Sequence, residues 1–320
     1  MKQFDRPEPL ALVVGDVITD ILVRPDGSLR RGTDRAAVIR VLPGGAGANQ
    51  AAWLARFGVG ARLAARVGAA DLPAIAARLR RLGVEPALTA DPGLATGTIV
   101  TLLDPDGERS FLTDRGANAK LACADLPARL LDGAALLHLS GYALFAPGPR
   151  QAVLALAGAA RGRGIPVTVD AASSGFLAEV GAAAFLAWTR GAAICFANAD
   201  EAALLAGADE PARQRAALLA SYDRVVIKRG AAGAELAARN GRVWTQPAPD
   251  VAAVDATGAG DALLGAFLAA WLAGAPPEAC LAAGVAAGAA AVTVPGGQPP
   301  DDATQAVPAG WPASAEGDEA

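Results

Sequence analysis

The sequence predicts an α/β fold, a mostly parallel sheet covered by helices on both faces, and three observations lead there. Short β-prone runs alternate with Ala- and Leu-rich helical stretches. The chain has 320 residues of which 53% are hydrophobic, enough to bury one large core without metals or disulfides. Two regions, 17–43 and 95–115, break the alternation with β-prone segments separated by turn signals, which calls for a small second sheet.

Taken in order, LALVV (10–14) opens the main sheet and ends at a Gly-Asp turn. ITDILV and AAVIRVL follow, separated by PDG at 25–27; TGTIVTLLD and RSFLT are separated by PDG at 105–107. With no helix between the members of each pair, these four are expected to form a lid over the strand ends, an edge extension of the main sheet being the plainer alternative. AALLHLS (134–140), IPVTVD (165–170), AAICFA (192–197) and DRVVIK (223–228) supply further main-sheet strands. Ligands of open α/β sheets sit at the carboxyl ends of the strands, which directs attention to Asp16, Asp20, Ser140, Asp170, Asn198 and Lys228. One domain is expected over 1–298, with a loosely ordered tail at 299–320 rich in Pro, Asp, Ala and Gly.

Composition excludes several classes of function. With 28 basic and 32 acidic residues the net charge is −4, so the basic footprint of a nucleic-acid binder is missing and a small-molecule partner is expected. Apolar runs are broken by Gly, Pro or charge, which argues against a membrane span, and the opening MKQFDRPEPLALVVGD does not read as a leader, so a cytoplasmic protein is expected. Cys123, Cys195 and Cys280 are far apart and odd in number; they read as small core residues rather than as a disulfide or zinc framework. The single histidine, His138, lies in an apolar run, so chemistry built on a His triad or several His ligands is disfavoured and any catalytic base must be another residue type.

The strongest motif is VDATGAGDALLGAFLAAWLAG at 254–274, a Gly-rich turn opening a long helix. Thr257, Gly258, Ala259 and Gly260 fall where backbone N–H groups lack intrahelical partners and the helix dipole adds positive charge, so an anion is expected there. A carboxylate beside such a turn, Asp261, would repel phosphate unless the reaction needs a base to take a proton from an attacking hydroxyl. Capping of its own helix is the alternative role for Asp261. A second Gly-rich segment, PGGAGANQAAWLARFG at 43–58, places Asn49 in the first turn of another helix, where its amide suits a sugar hydroxyl or serves as a cap. Neither a dinucleotide fingerprint nor a Walker A loop occurs.

GGAGANQAAWLARFG and DATGAGDALLGAF, in this order, closely resemble the two signature regions of the PfkB carbohydrate kinases of the ribokinase-like superfamily. Between them FANADEA supplies an N-x-x-E element, VVGDVITD resembles the family's opening strand and turn, and VIKRGAAG (226–233) its nucleotide loop. The resemblance reaches to about residue 298 and implies a ribokinase-like three-layer sandwich, a mostly parallel central sheet with a small β-sheet lid. It also implies transfer of the γ-phosphoryl of ATP to a hydroxyl of a sugar or sugar-like substrate. By position Asp261 is the implied base, with the amides of Thr257, Gly258, Ala259 and Gly260 as the anion hole and Thr257 also in the nucleotide site. Asp16, Asp20, Gly45 and Asn49 are implied substrate contacts, and Asn198, Lys228, Gly230 and Gly233 line the nucleotide site. Glu201 is implied for Mg2+ through water, and Asp255, with VPGGQ at 294–298, for a K+-like ion.

The chain departs from the ribokinase pattern at Ile18, commonly Asn in ribokinases, and at Ala46, often Lys, so the acceptor is left open among ribose, fructose, a phosphorylated hexose, a ketodeoxy sugar acid and a nucleoside such as adenosine or pseudouridine. Arg109, Arg115 and Asn118 are expected on a solvated lid surface, with an anionic substrate group as the sharper alternative. Phe111-Leu112-Thr113 is a candidate lid-to-lid homodimer contact, while Trp53 and Trp271 are expected in the core. A sugar- or nucleotide-binding regulator without turnover and an NAD-type oxidoreductase are the competing functions.

Overall fold

The computed structural model describes residues 9–103 and 109–300. The polar arm at 1–8, the turn at 105–107, the Arg109 side chain and nearly all of the proposed tail lie outside the described residues and side chains.

In chain order the strands are β1 (Leu10–Val14), β2 (Ile18–Pro25), β3 (Ala37–Gly44), β4 (Gly60–Gly68), β5 (Val84–Asp91), β6 (Gly97–Leu103), β7 (Arg109–Asp114), β8 (Ala134–Ser140), β9 (Val167–Asp170), β10 (Ile194–Asn198), β11 (Arg224–Lys228), β12 (Ala234–Ala238) and β13 (Val243–Gln246). The helices are α1 (Ala46–Arg56), α2 (Leu72–Arg81), α3 (Pro147–Gly162), α4 (Ser174–Val180), α5 (Ala182–Thr189), α6 (Ala199–Ala206), α7 (Pro211–Leu219), α8 (Ala259–Leu272) and α9 (Pro277–Ala291). The main sheet has the order β13-β12-β11-β10-β9-β8-β1-β4-β5. Its strands pair in parallel except at β11/β12 and β12/β13.

Period-two alternation divides the core between the two faces. Leu12 and Val14 of β1 belong to one buried cluster with residues of α3 and α6, while Ala11 and Val13 belong to another with residues of α1, α8 and α9. Both faces are therefore covered, which is why β1 reads as an unbroken apolar run and not as a half-buried strand. The five main-sheet strands read from sequence are all present; β4, β5 and the antiparallel pair β12–β13 were not marked. β4 (GARLAARVG) and β5 (VEPALTAD) are Ala-rich with interspersed charge, and parallel pairing with their neighbours overrides that weak propensity.

The two regions that break the alternation form a separate four-stranded sheet, β3-β2-β6-β7. β2 pairs antiparallel with β3 and parallel with β6, and β6 pairs antiparallel with β7. The plainer alternative of an edge extension is not what forms. Val38, Ile39 and Val41 of one edge strand and Phe111 and Leu112 of the other are exposed.

Three side chains depart from their expected settings. Cys195 and Cys280 are buried, but Cys123 is exposed, because it lies in a short 3-10 turn at Cys123–Asp125 on a surface connection. Asn118 is buried, not solvated: its Oδ1 accepts from Val17 N–H at 3.1 Å and its Nδ2 donates to Val17 O at 2.8 Å, clamping the turn after β1. Arg115 is half-buried and donates to Tyr142 O at 2.6 Å, so it too belongs to the interior of the cleft, where burial lowers its pKa and Asp16 opposes that shift.

Candidate active site

Strand order turns outward in both directions from the β1/β8 pair, so the carboxyl ends of these strands open a crevice where the connections diverge. Asp16 follows β1, Ser140 ends β8, Asp170 ends β9, Asn198 ends β10 and Lys228 ends β11. Helices α1 and α8 deliver the two Gly-rich segments to this crevice.

Close helix packing sets their relation. A Cβ on Gly265 of α8 would stand 2.7 Å from the Cβ of Trp53 on α1, so only Gly admits this approach. One turn earlier on each helix, Asn49 Nδ2 donates to Asp261 Oδ2 at 3.1 Å and Gln50 Nε2 donates to Asp261 Oδ1 at 3.0 Å. Asp261 is in the first turn of α8 but does not cap it; Gly258 occupies the cap position. Likewise Gly45, not Asn49, precedes α1. Gly45 has φ 94°, and a Cβ there would lie 2.8 Å from both Asp16 O and Ile18 N, so the turn closes only around Gly.

The carboxylates are crowded. Burial pushes the Asp261 carboxyl up to about 7, with the Asp170 charge adding to it and Asn49, Lys228 and Gln50 opposing. Asp170 Oδ1 accepts from Lys228 Nζ at 2.8 Å. Burial alone would depress the Lys228 ammonium, but Asp170, Glu201 and Asp261 outweigh it and hold it protonated, above its ordinary value. The Glu201 carboxyl is pushed up to about 7 by burial, Lys228 opposing and Asp170 adding. Three carboxylates, Asp170, Glu201 and Asp261, thus bear on one ammonium, and among the described residues no group of three or more acidic, His or Cys side chains gathers closely enough to hold a metal ion directly.

Asn198 and Glu201 are joined as a capping box. Asn198 Oδ1 accepts from Glu201 N–H at 2.8 Å, and Glu201 Oε2 accepts from Asn198 N–H at 2.8 Å. Thus the N-x-x-E spacing has a local structural cause, and Asn198 engages both Glu201 oxygens, its Nδ2 donating to Oε1 at 3.0 Å. Gly230 opens a short turn after β11, and a Cβ on Gly233 would overlap the Gln246 carbonyl oxygen, so that glycine lets β13 pass closely.

In the 257–260 turn, two of the amides have chain acceptors. Thr257 N–H and Oγ1 donate to Asp255 Oδ1 at 3.0 and 2.7 Å, and Ala259 N–H donates to Ala256 O at 3.3 Å. Asp255 Oδ2 accepts from Gly296 N–H at 3.0 Å, stitching the 294–298 segment to the turn. Gly258 is left-handed, φ 76°, and a Cβ on it would overlap the backbone of Gly297. Trp53 Nε1, donating to Gly297 O at 2.9 Å, holds the same segment.

On the opposite wall, Asp16 Oδ1 accepts from Gly47 N–H at 3.1 Å and burial raises its pKa. Asp20 is pushed up to about 7 by burial, then by Asp16 and Asp255, so it shares the crevice with both. Ile18 is buried, its side chain packed against Gly97 of the small sheet.

A family profile for the pfkB family carbohydrate kinases matches residues 9–304. The chain belongs to the pfkB family of carbohydrate kinases. It is similar to a fructokinase of Klebsiella pneumoniae, 32% identical over 268 residues, covering 80% of this chain and 82% of that one. It is also similar to an ATP-dependent ribose-1-phosphate kinase of Halopiger xanaduensis, 32% identical over 274 residues, covering 82% and 84%. Among solved structures, the ribokinase of Arabidopsis thaliana complexed with ribose and ATP superposes with TM-score 0.75 at 25% identity, covering 91% and 94%. An E. coli structure containing ATP and Mg2+ shares the fold at TM-score 0.80 and 24% identity, covering 91% and 94%. This pfkB kinase thus has the ribokinase-like three-layer architecture implied by its motifs. Among its described residues no helix is long and apolar enough to cross a membrane.

The sequence motifs did not point to Gln50, His138 and Thr168 as neighbours of the site, although all three are completely buried there. The adjacency of Gln50 to Asn49 on one helical turn was the available signal; His138 and Thr168 read as ordinary strand residues.

Proposed function

We propose that this pfkB kinase transfers the γ-phosphoryl of ATP to a hydroxyl of a sugar or sugar-like acceptor, with Asp261 as the base. The observation that carries this is Asn49 Oδ1, a buried acceptor with no hydrogen-bond partner among the described residues, on the same amide whose Nδ2 binds Asp261 Oδ2. An unpaired buried acceptor is costly. A hydroxyl donor bound beside Asp261 would satisfy it.

In that arrangement the reacting O–H donates to Asp261 Oδ2, a neighbouring hydroxyl of the same acceptor donates to Asn49 Oδ1, and Asp16 and Asp20 hold other hydroxyls. The proton passes to Asp261 as the acceptor oxygen bonds to the γ-phosphorus, and the bond to the β–γ bridging oxygen breaks to leave ADP. Because Thr257 and Ala259 N–H are already engaged, the anion hole narrows to the amides of Gly258 and Gly260. Lys228, Gly230, Gly233 and Asn198 would line the nucleotide, and Glu201 with Asp170 would hold Mg2+ through water. Bound Mg2+ would supply neutralisation of phosphate charge. The small sheet closes over the acceptor as a lid and excludes water. A K+-like ion would bind beside Asp255, whose oxygens hold the 294–298 loop in place.

The test has two arms. Mg·ATP should raise the melting temperature, by an amount equivalent to about 2.7 kcal/mol at a hundredfold excess over Kd, whereas NAD should not. ADP release across sugars, sugar acids, sugar phosphates and nucleosides, with potassium or sodium, should then pick out the acceptor and the ion. Stabilisation by NAD alone would refute the kinase reading for this site; stabilisation by Mg·ATP with no stimulating compound in a full panel favours a binding protein without turnover.

A further inference from the structure

Asp261 is one end of a buried line of side chains that crosses three other elements. Gln50 Nε2 on α1 meets Asp261 Oδ1 at 3.0 Å, Gln50 Oε1 meets His138 Nε2 on β8 at 3.1 Å, and His138 Nδ1 meets Thr168 Oγ1 on β9 at 2.8 Å. Gln50, His138 and Thr168 are each 0% exposed. The polarity of the line follows from the acid end. A carboxylate only accepts, so the amide nitrogen of Gln50 must face Asp261 and its oxygen must face the imidazole. His138 must then carry its proton on Nε2, and bare Nδ1 accepts from the Thr168 hydroxyl.

A neutral ring is required for this, and burial pushes His138 down to about 4, with Asp170 opposing and Lys228 adding. The ring is packed edge-on against Phe196, centroids 6.4 Å apart. The charged or titratable groups that bear on the two ends are Asp170 of β9 and Lys228 of β11, with Tyr142 also feeling Asp261.

We infer that His138 is a positioning residue for the phosphoryl transfer: through Gln50 it locks the Asp261 carboxylate so that Oδ1 is held and Oδ2 is presented to the acceptor. This rests on Asp261 being the base. The need is physical, because the terminal torsion of an Asp is broad and nearly two-fold. A base that swings loses the near-attack geometry, and a misplacement of about 1 Å can cost about 100-fold. The line anchors the torsion to two central strands.

The chain has one histidine, so 15N-histidine labelling yields a single imidazole whose tautomer is read directly. Its spectrum should show Nε2–H and a bare Nδ1 at pH 8.5, where the Asp261 carboxyl is ionised; an Nδ1–H tautomer there overturns the inference. Aspartate 13C-carboxyl titration, with Asp261 assigned by its disappearance in Asp261→Asn, supplies a readout that needs no acceptor. His138→Leu should raise the Asp261 midpoint, since Gln50 is no longer held as its donor, and His138→Gln, which keeps an N–H for Gln50, should restore it. Thr168→Val keeps the volume and should loosen the tautomer, guarding against a fold-wide effect of His138→Leu. With the acceptor found by ADP release, His138→Leu should lower kcat by about tenfold or more while KM stays within about threefold, and His138→Gln should recover most of it. An unchanged Asp261 midpoint in folded His138→Leu overturns the inference while leaving the base assignment intact. Full turnover by Asp261→Asn overturns the base assignment and the inference's role in catalysis, whatever the spectra show of the hydrogen-bonded line.

Discussion

Asp261→Asn should reduce kcat by at least about 100-fold, and by up to about 10,000-fold, with ATP and acceptor still bound. The substitution keeps volume and shape but removes the proton acceptor. Its new amide would also face the Gln50 Nε2 or Asn49 Nδ2 donor, so the introduced side chain must offer its one oxygen to one of them and lose the other contact. Wild type supplies the companion measurement. With burial holding the Asp261 carboxyl at about 7 in the free protein, the active carboxylate form grows as pH rises through 7, so kcat/KM should climb on the acid side and level off above. kcat/KM at pH 6 should be about a tenth of the plateau. A flat profile between pH 5.5 and 8.5, or an Asp261→Asn variant within a few-fold of wild type, would remove Asp261 from the chemistry.

The second large effect is expected at Gly258. Alanine there meets two obstacles at once: a left-handed backbone, φ 76°, and the Gly297 backbone in the space its methyl would need. The first costs about 1–2 kcal/mol on its own. The second forces either the turn or the 294–298 loop to move, and that loop is packed on Asn49, since a Cβ on Gly297 would overlap the Asn49 amide. In the proposed mechanism this takes the Gly258 and Gly260 amides off the positions where charge develops, and kcat should fall by about 100- to 1,000-fold. Gly207→Ala is the control. Gly207 is also left-handed, φ 61°, but nothing lies within 4 Å of its Cβ position, at the end of α6 away from the crevice. It should lose only the strain component, about 1–2 kcal/mol measured by denaturant midpoint, with kcat unchanged. Equal kcat losses in both variants would mean that backbone strain, and not displacement of the anion hole, is what matters.

The sequence disclosed the site in pieces. TGAGD and GGAGAN are local patterns, a turn that needs Gly and a helix that follows, so both could be read without knowing what they face. N-x-x-E was legible for a different reason, because a reciprocal capping box depends only on spacing within one turn. Arg115 and Asn118 were misplaced on the surface because a polar side chain in a β-prone stretch reads as solvated; their partners, Tyr142 O and the Val17 backbone, are remote in sequence.

Period and turn chemistry alone determined the α/β class, the strands of the small sheet and the two Gly-rich helix starts, because these depend on interactions among residues a few positions apart; that the small sheet stands apart from the main one was decided by strand pairing. Tertiary structure decided which groups meet: Asn49 and Gln50 on Asp261, Lys228 on Asp170, and His138 between Gln50 and Thr168. Those contacts join residues tens to hundreds of positions apart, 212 in the case of Asn49 and Asp261. They exist because parallel strands put their carboxyl ends together and because Gly265 lets α8 settle against Trp53 of α1, and no local pattern records either event.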